Sequence, residues 1–139
     1  MSENLNPQPG QPFIQRQLGF VEAVKRGLLE KYCDFTGRAS LSEFWWFVLF
    51  SAIISWVFSL FLGHGWFSWV LYSIVSLALL LPSLGVTVRR LHDTGKGGGW
   101  VFVSFIPLVG VIWLLVLCAQ QSEPKENRFG KIPNVDAVI

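Results

Sequence analysis

The densest run of side chains able to do chemistry is Arg89-Arg90-Leu91-His92-Asp93, followed by Lys96. His92 beside Asp93 has the makings of an acid–base pair, and the two guanidinium groups suit a carboxylate or a phosphate headgroup. Neighbours on a helix diverge by about 100°, however, so His92 and Asp93 do not face one another. Ion pairing at a membrane face accounts for the run without catalysis. The second candidate is Glu43, which opens a long apolar stretch. A carboxylate at that depth needs a cation, and Arg89 or Arg90 can supply one. Arg38, Glu43, Arg89, Arg90, His92 and Asp93 are therefore the expected polar cluster. Ser40-Leu41-Ser42-Glu43 also fits a capping box, in which Ser40 accepts from the Glu43 amide and the carboxylate reaches back to the Ser40 amide.

Other chemistry is not indicated. Cys33 and Cys118 lie far apart without a Cys/His spacing, which suggests neither a zinc site nor a disulfide framework. Gly97-Gly98-Gly99 lacks the surroundings of a phosphate loop. No catalytic residue, cofactor or metal is expected, and no nucleic-acid partner.

The elements that must position the cluster follow from composition. The 139 residues are 52% hydrophobic, 15% aromatic and 14% charged, where a soluble domain runs nearer ~25% charged. Mean hydropathy is +0.48. The apolar residues form three blocks without Asp, Glu, Lys or Arg, at 44–62, 66–88 and 100–119. Each would be about 28–35 Å long as a helix, matching a hydrocarbon core of roughly 30 Å. Trp45, Trp46, Trp66, Trp69 and Trp100 stand at block ends, where an indole is half in water and half in lipid. The expectation is an all-α membrane protein with three transmembrane helices, the third open to a kink or a re-entrant course because Pro107 and Gly110 interrupt it. Residues 1–12 carry no basic or apolar leader region, so the first span is the expected address. Residues 1–19 read as a polar, disordered extension, 20–133 as the membrane domain and 134–139 as a short end.

Charge sets the expected topology. Residues 1–43 hold five Lys/Arg and five Asp/Glu, residues 89–99 three and one, residues 120–139 three and three. Two crossings put the first two segments on one side, and the positive-inside rule makes it cytoplasmic. Three crossings would put the basic tail outside, which fits the rule poorly; a re-entrant third block removes the conflict.

Ahead of the first block, Phe20, Val24, Leu28 and Tyr32 recur every four residues, with Val21 adjoining. This predicts an amphipathic helix, lying on the membrane surface or packed on neighbouring loops. Within the blocks, Ser51, Ser55, Ser59 and Gly63 make one small-residue stripe, and Ser73, Ser76, Ser83 and Thr87 make another. Joined by Gly63-His64-Gly65 alone, the first two helices must form a tight hairpin, and the stripes are expected to face each other across it.

Three segments in this order, F-x-GRA-x-x-SEFWWF, VRRLHDTGK with its glycines and Trp100, and SEP-x-x-NRFG, resemble the bacterial membrane-protein family called domain of unknown function 805, small YhaH-like inner-membrane proteins. The family's recurring positions fall on Gly37, Arg38, Ser42, Glu43, Trp45, Arg89, Arg90, His92, Asp93, Gly95, Asn127, Arg128 and Gly130. Leu41, Gly99 and Lys131 stand where a basic residue, a Trp and a Pro are common. The resemblance implies a bacterial inner-membrane location and a helical fold, and no activity. The leading expectation is a multi-pass, non-catalytic protein acting by association with the lipid bilayer, anionic headgroups, copies of itself or other membrane proteins. A pore or transport accessory is the first rival, and an enzyme using His92 and Asp93 the second. No ionisable residue lies within a block, which argues against proton-coupled transport.

Overall fold

A computed structural model describes residues 6–138. Residues 1–5, part of the expected disordered extension, lie outside them. A short strand β1 (Phe13–Gln15) leads into α1 (Phe20–Lys25), which continues as one π turn over Arg26–Glu30. Two long helices follow, α2 (Leu41–Phe61) and α3 (Trp66–Asp93). A 3₁₀ segment (Gly98–Phe105), α4 (Val109–Cys118) and β2 (Val135–Val138) complete the chain.

Helices α2 and α3 form the hairpin that the Gly63–Gly65 turn demands. Both are long and apolar enough to cross a membrane, yet only 11% and 17% of their most apolar stretches are buried in the protein. Trp56, Phe61, Trp66, Phe67, Ile74 and Leu77 all face outward. A soluble protein does not leave a patch of this size to water, and lipid is the solvent that suits it. At 28 residues α3 is about 42 Å long. It therefore outruns a ~30 Å hydrocarbon core, and the excess is its charged end.

The core is confined to that end of the hairpin. Phe44 and Phe47 of α2 pack with Val86 and Leu91 of α3, Leu117 and Cys118 of α4, and Ala39. We call this the polar end, after the charges that surround the core, and the opposite one the turn end.

The third apolar block is not one helix. Its 3₁₀ segment starts beside the last turns of α3, where a Cβ on Gly98 would lie 2.9 Å from the Val88 side chain. The chain then reverses at Leu108, which adopts φ 60° and ψ −61° while the Val109 amide bonds the Pro107 carbonyl at 2.7 Å. This is a γ-turn of the rare positive-φ kind, costly for a non-glycine residue. Helix α4 runs back against the 3₁₀ segment so closely that a Cβ on Gly110 would sit 1.8 Å from the Val103 carbonyl oxygen. It ends at Cys118, whose carbonyl accepts from Arg90 of α3. The block thus returns to the end of α3 at which it began. Ten residues of α4 reach only about 15 Å, so the expectation of a third full-length span gives way to a hairpin of two short segments, for which the interruption by Pro107 and Gly110 is the physical reason.

Two further segments differ from expectation. Residues 6–19 are not structureless throughout, because β1 pairs antiparallel with β2, Phe13 opposite Val138 and Gln15 opposite Val135, with one irregularity between. Instead of one continuous amphipathic helix, the chain makes six residues of α1 and then the π turn. Phe20 packs on Trp46 and Phe50. Gly27 meets the Phe47 ring so closely that a Cβ would fall 2.6 Å from it. Tyr32, expected on an apolar face, instead donates its hydroxyl to the Ala78 carbonyl at 2.5 Å. Pro82 lies inside α3 and has no N–H to give the carbonyl four residues back, so that oxygen is free for Tyr32. The next turn of chain is fixed by Asp34, which accepts from the Thr36 hydroxyl and amide. Those two bonds hold its carboxyl below the ordinary range.

Candidate functional site

The polar cluster is assembled where α2 begins and α3 ends. Ser40 accepts from the Glu43 amide at 3.4 Å, which caps α2. The reciprocal half of the capping box does not form: the Glu43 carboxylate turns instead to Arg89, whose Nη1 donates to Oε1 at 2.6 Å. Arg26 approaches the other carboxylate oxygen at 3.7 Å from the π turn. Sequence left Arg89 and Arg90 as alternative partners. The structure gives Glu43 to Arg89 and sends Arg90 to the neighbouring acid.

That acid is Asp93. Arg38 Nε donates to its Oδ1 at 2.9 Å, while Arg90 Nη1 and the Ser122 hydroxyl both donate to Oδ2. Side chains of Arg38, Arg89, Arg90, Glu43 and Asp93 are at most 1% exposed. Three cations and two carboxylates are thus held out of water together. Burial of this kind is tolerated only when nearly every donor finds an acceptor, and the acceptors here come mostly from the tail. Arg38 donates to the carbonyls of Glu123 and Lys125, both at 2.7 Å. Arg90 donates to those of Cys118 and Gln120, so it caps the end of α4. Arg89 is the exception, with Nε and Nη2 finding no partner among the described residues.

His92 completes the cluster but performs a different task. Its Nδ1 meets the Gly37 carbonyl at 3.0 Å, and its ring stacks on Phe129 with centroids 3.9 Å apart and planes 2° from parallel. Arg128 lies over the Phe129 ring, its Cζ 4.6 Å from the centroid. Asn127 donates to the His92 carbonyl at 2.9 Å. The imidazole is a platform for the tail, and it does not touch the Asp93 carboxylate.

Sequence reasoning missed the tail's part. Ser122, Glu123, Asn127 and Phe129 each bond or stack with the cluster, and the motif SEP-x-x-NRFG was the signal available for them. The Tyr32–Pro82 relation was missed as well: a proline within an apolar span frees a carbonyl, but nothing in the sequence names Tyr32 as its donor. Among the described residues, no group of three metal-ligating side chains occurs.

The stripes divide. Ser55, Ser59 and Gly63 line a cavity of about 250 Å³ at the turn end, with Phe58, His64, Ser68, Trp69 and Tyr72 as its other walls. Helix α2 does turn this stripe toward α3, but across a gap. Ser51, one turn deeper, keeps a buried hydroxyl without a partner among the described residues. On α3, Ser73 donates to its own Trp69 carbonyl, Ser76 is exposed, and Ser83 offers its carbonyl to Thr87. None of these three lines the cavity.

Residues 32–131 match the family described as Protein of unknown function (DUF805). The chain belongs to that family. Its DUF805 segment holds every residue of the polar cluster except Arg26. Among its relatives in Escherichia coli K12 is inner membrane protein YhaI, 36% identical over 107 residues, which cover 76% of this chain and 91% of YhaI. Inner membrane protein YhaH is 34% identical over 114 residues, covering 78% of this chain and 94% of YhaH. Uncharacterized protein YiiR is 36% identical over 84 residues, or 60% of this chain and 53% of YiiR. No solved structure matches. Two helices apolar enough for a membrane and relatives named as inner membrane proteins agree on the inner membrane.

Proposed function

We propose that this DUF805 protein is a non-catalytic inner-membrane protein with two full spans, α2 and α3, and a cytoplasmic cap, acting by association with anionic lipid and with other membrane proteins. The observation that carries the reading is the attachment of the tail. Arg38, ahead of the first span, Arg90 and Asp93, at the end of the second, and residues 118–127 are bonded to one another. The N-terminal segment, the 89–99 loop and the tail therefore share one face. With all three on the cytoplasmic side, every Lys and Arg of the sequence is there, as the positive-inside rule favours.

The same bonds argue against catalysis by His92 and Asp93. The Asp93 carboxylate is enclosed by Arg38, Arg90 and Ser122, and His92 faces a carbonyl and a phenyl ring. Arg89 and Arg90 are fully buried, so headgroup contact falls to the outer surface of α1. There Val21, and Leu29 in the π turn that continues the helix, are 75% and 74% exposed with Lys25 between them, the pattern of a segment lying in the interface.

Topology is tested in a Cys33→Ser background with single cysteines at His64, Thr94 or Lys125. An impermeant maleimide applied to intact cells should label only the His64→Cys protein. Labelling of Lys125→Cys would overturn the shared cytoplasmic face. For the lipid reading, lipids co-extracted with the protein in native nanodiscs should be richer in anionic headgroups than the bulk membrane, and Lys25→Glu should reduce that enrichment. An unchanged lipid profile would remove it.

A further inference from the structure

The turn-end cavity takes no part in the polar cluster or in the attachment of the tail. Its walls, Ser55, Phe58, Ser59, Gly63, His64, Ser68, Trp69 and Tyr72, border an open cleft of about 250 Å³ between α2 and α3, away from the core at the polar end. The lining is chemically specific. It contains no Asp, Glu, Lys or Arg, so a charged ligand would find no carboxylate, ammonium or guanidinium partner there. An acyl chain would use none of its hydroxyl donors, whereas a ligand with carbonyl oxygens would engage them. Ser68 donates to the Leu62 carbonyl. The hydroxyls of Ser55, Ser59 and Tyr72 and the His64 ring make no hydrogen bond among the described residues.

The remaining wall is aromatic. The Phe58 and Tyr72 rings lie 6.0 Å apart and inclined at 56°, and Trp69 adds a third face. Such rings favour a flat π-system set against them, stacked or edge-on. Exposed Trp66 and Trp69 mark this level as the headgroup interface of the bilayer, so the occupant approaches from the membrane. Neutral, flat, furnished with hydrogen-bond acceptors and membrane-borne is the description that fits. We propose that the cavity binds the carbonyl-bearing ring head group of a membrane amphiphile of the quinone type, with His64, Tyr72 and the free serines donating to the carbonyl oxygens and the aromatic walls holding the ring.

The volume lies just under the ~300–1,000 Å³ of drug-sized sites, which suits one or two fused rings with the tail left in lipid. The membrane reading supplies only the route of access. Binding itself is a property of the isolated chain, so its failure and a failure of the topology are separately visible.

The test is equilibrium dialysis of the full chain in mild detergent against a soluble 1,4-naphthoquinone. Wild type should show saturable uptake approaching one ring per chain above the linear partition into micelles. Ser59→Leu should fill the cavity and leave the linear part alone. Tyr72→Phe retains the ring, and so the packing with Phe58; this variant and, separately, His64→Ala should each weaken binding roughly tenfold, the worth of one hydrogen bond of about 1.4 kcal/mol. Ser76→Leu, on an exposed position outside the lining, should bind as wild type. Linear uptake alone in wild type overturns the proposal, as does saturable uptake that survives Ser59→Leu with Tyr72→Phe unchanged. A short-chain phosphatidylethanolamine is run in parallel. If it saturates the site and the quinone does not, the cavity holds lipid ester groups and the ring assignment is wrong.

Discussion

At one end of the α2–α3 hairpin, Glu43, Arg89, Arg90 and Asp93 are buried to 1% exposure or less and bonded to three separate segments of chain. At the other, Ser55, Ser59 and Tyr72 border an open cavity, their hydroxyls without a hydrogen bond among the described residues. The first end carries the costly groups and the second the cheap ones, the reverse of what a simple economy of burial would produce. The arrangement follows from the solvent. Near the headgroups a charge can be enclosed if the enclosing chain supplies carbonyls, whereas serines further along can sit beside lipid or bond within their own helix. Bonding between segments is therefore gathered at the polar end, and the turn end is left open.

The largest effect should come from removing the acid that two arginines share. Asp93→Ala strands Arg38 and Arg90 without a counter-charge, and breaking a buried pair in this way costs about 3–5 kcal/mol. Thermal unfolding in mild detergent, followed by tryptophan fluorescence, should show a large loss of midpoint. A loss no greater than that of a surface variant such as Lys125→Ala would mean that the cluster is wetter than its geometry indicates.

Next is the pair at the mouth of α2. Glu43→Arg and Arg89→Glu should each lower the yield of folded protein, and the double reversal should recover much of it. The same exchange with Arg90 should not recover, because Arg90 is committed to Asp93 and to the carbonyls of Cys118 and Gln120. Recovery with Arg90 and failure with Arg89 would reverse the assignment of partners.

A smaller effect is expected where α3 is interrupted. Tyr32→Phe removes the donor that Pro82 makes necessary and leaves the Ala78 carbonyl bare, at a cost of about 1–3 kcal/mol. If Pro82→Ala, which restores the helical donor, erases the cost of Tyr32→Phe, the two residues are coupled as described. Additive effects would separate them.

These sites differ in how far they could be read from sequence. Uncharged blocks, the three-residue turn and the charge at the block ends were sufficient for the α2–α3 hairpin, and a carboxylate opening one helix opposite arginines closing the next was sufficient to gather the polar cluster. Block three was harder, since its composition is that of a span while Gly110 can lie against the Val103 carbonyl only in a reversed chain. Sequence carries the permission for that contact and not the contact. The tail was least legible: residues 120–134 bond the cluster largely through backbone carbonyls, which every residue possesses and no pattern betrays. Pairing of β1 with β2 joins the two ends of the sequence, beyond the reach of any local periodicity.

The smallest expected effect bears directly on the contrast between the two ends. Had Ser55 been the point of closest approach between α2 and α3, Ser55→Leu would overpack the hairpin and cost about 1–3 kcal/mol. In the structure Ser55 faces the cavity of about 250 Å³, where a larger apolar side chain finds space and covers no bonded group. Its effect on unfolding in detergent should then stay within ~0.5 kcal/mol, the range of an unconstrained surface site. The neighbouring Ser51→Ala should also be mild or slightly stabilising, because it deletes a buried hydroxyl that has no partner among the described residues. A marked loss from Ser55→Leu with none from Ser51→Ala would show that the helices close on each other at the turn end, and the difference between the two ends would reduce to one of charge.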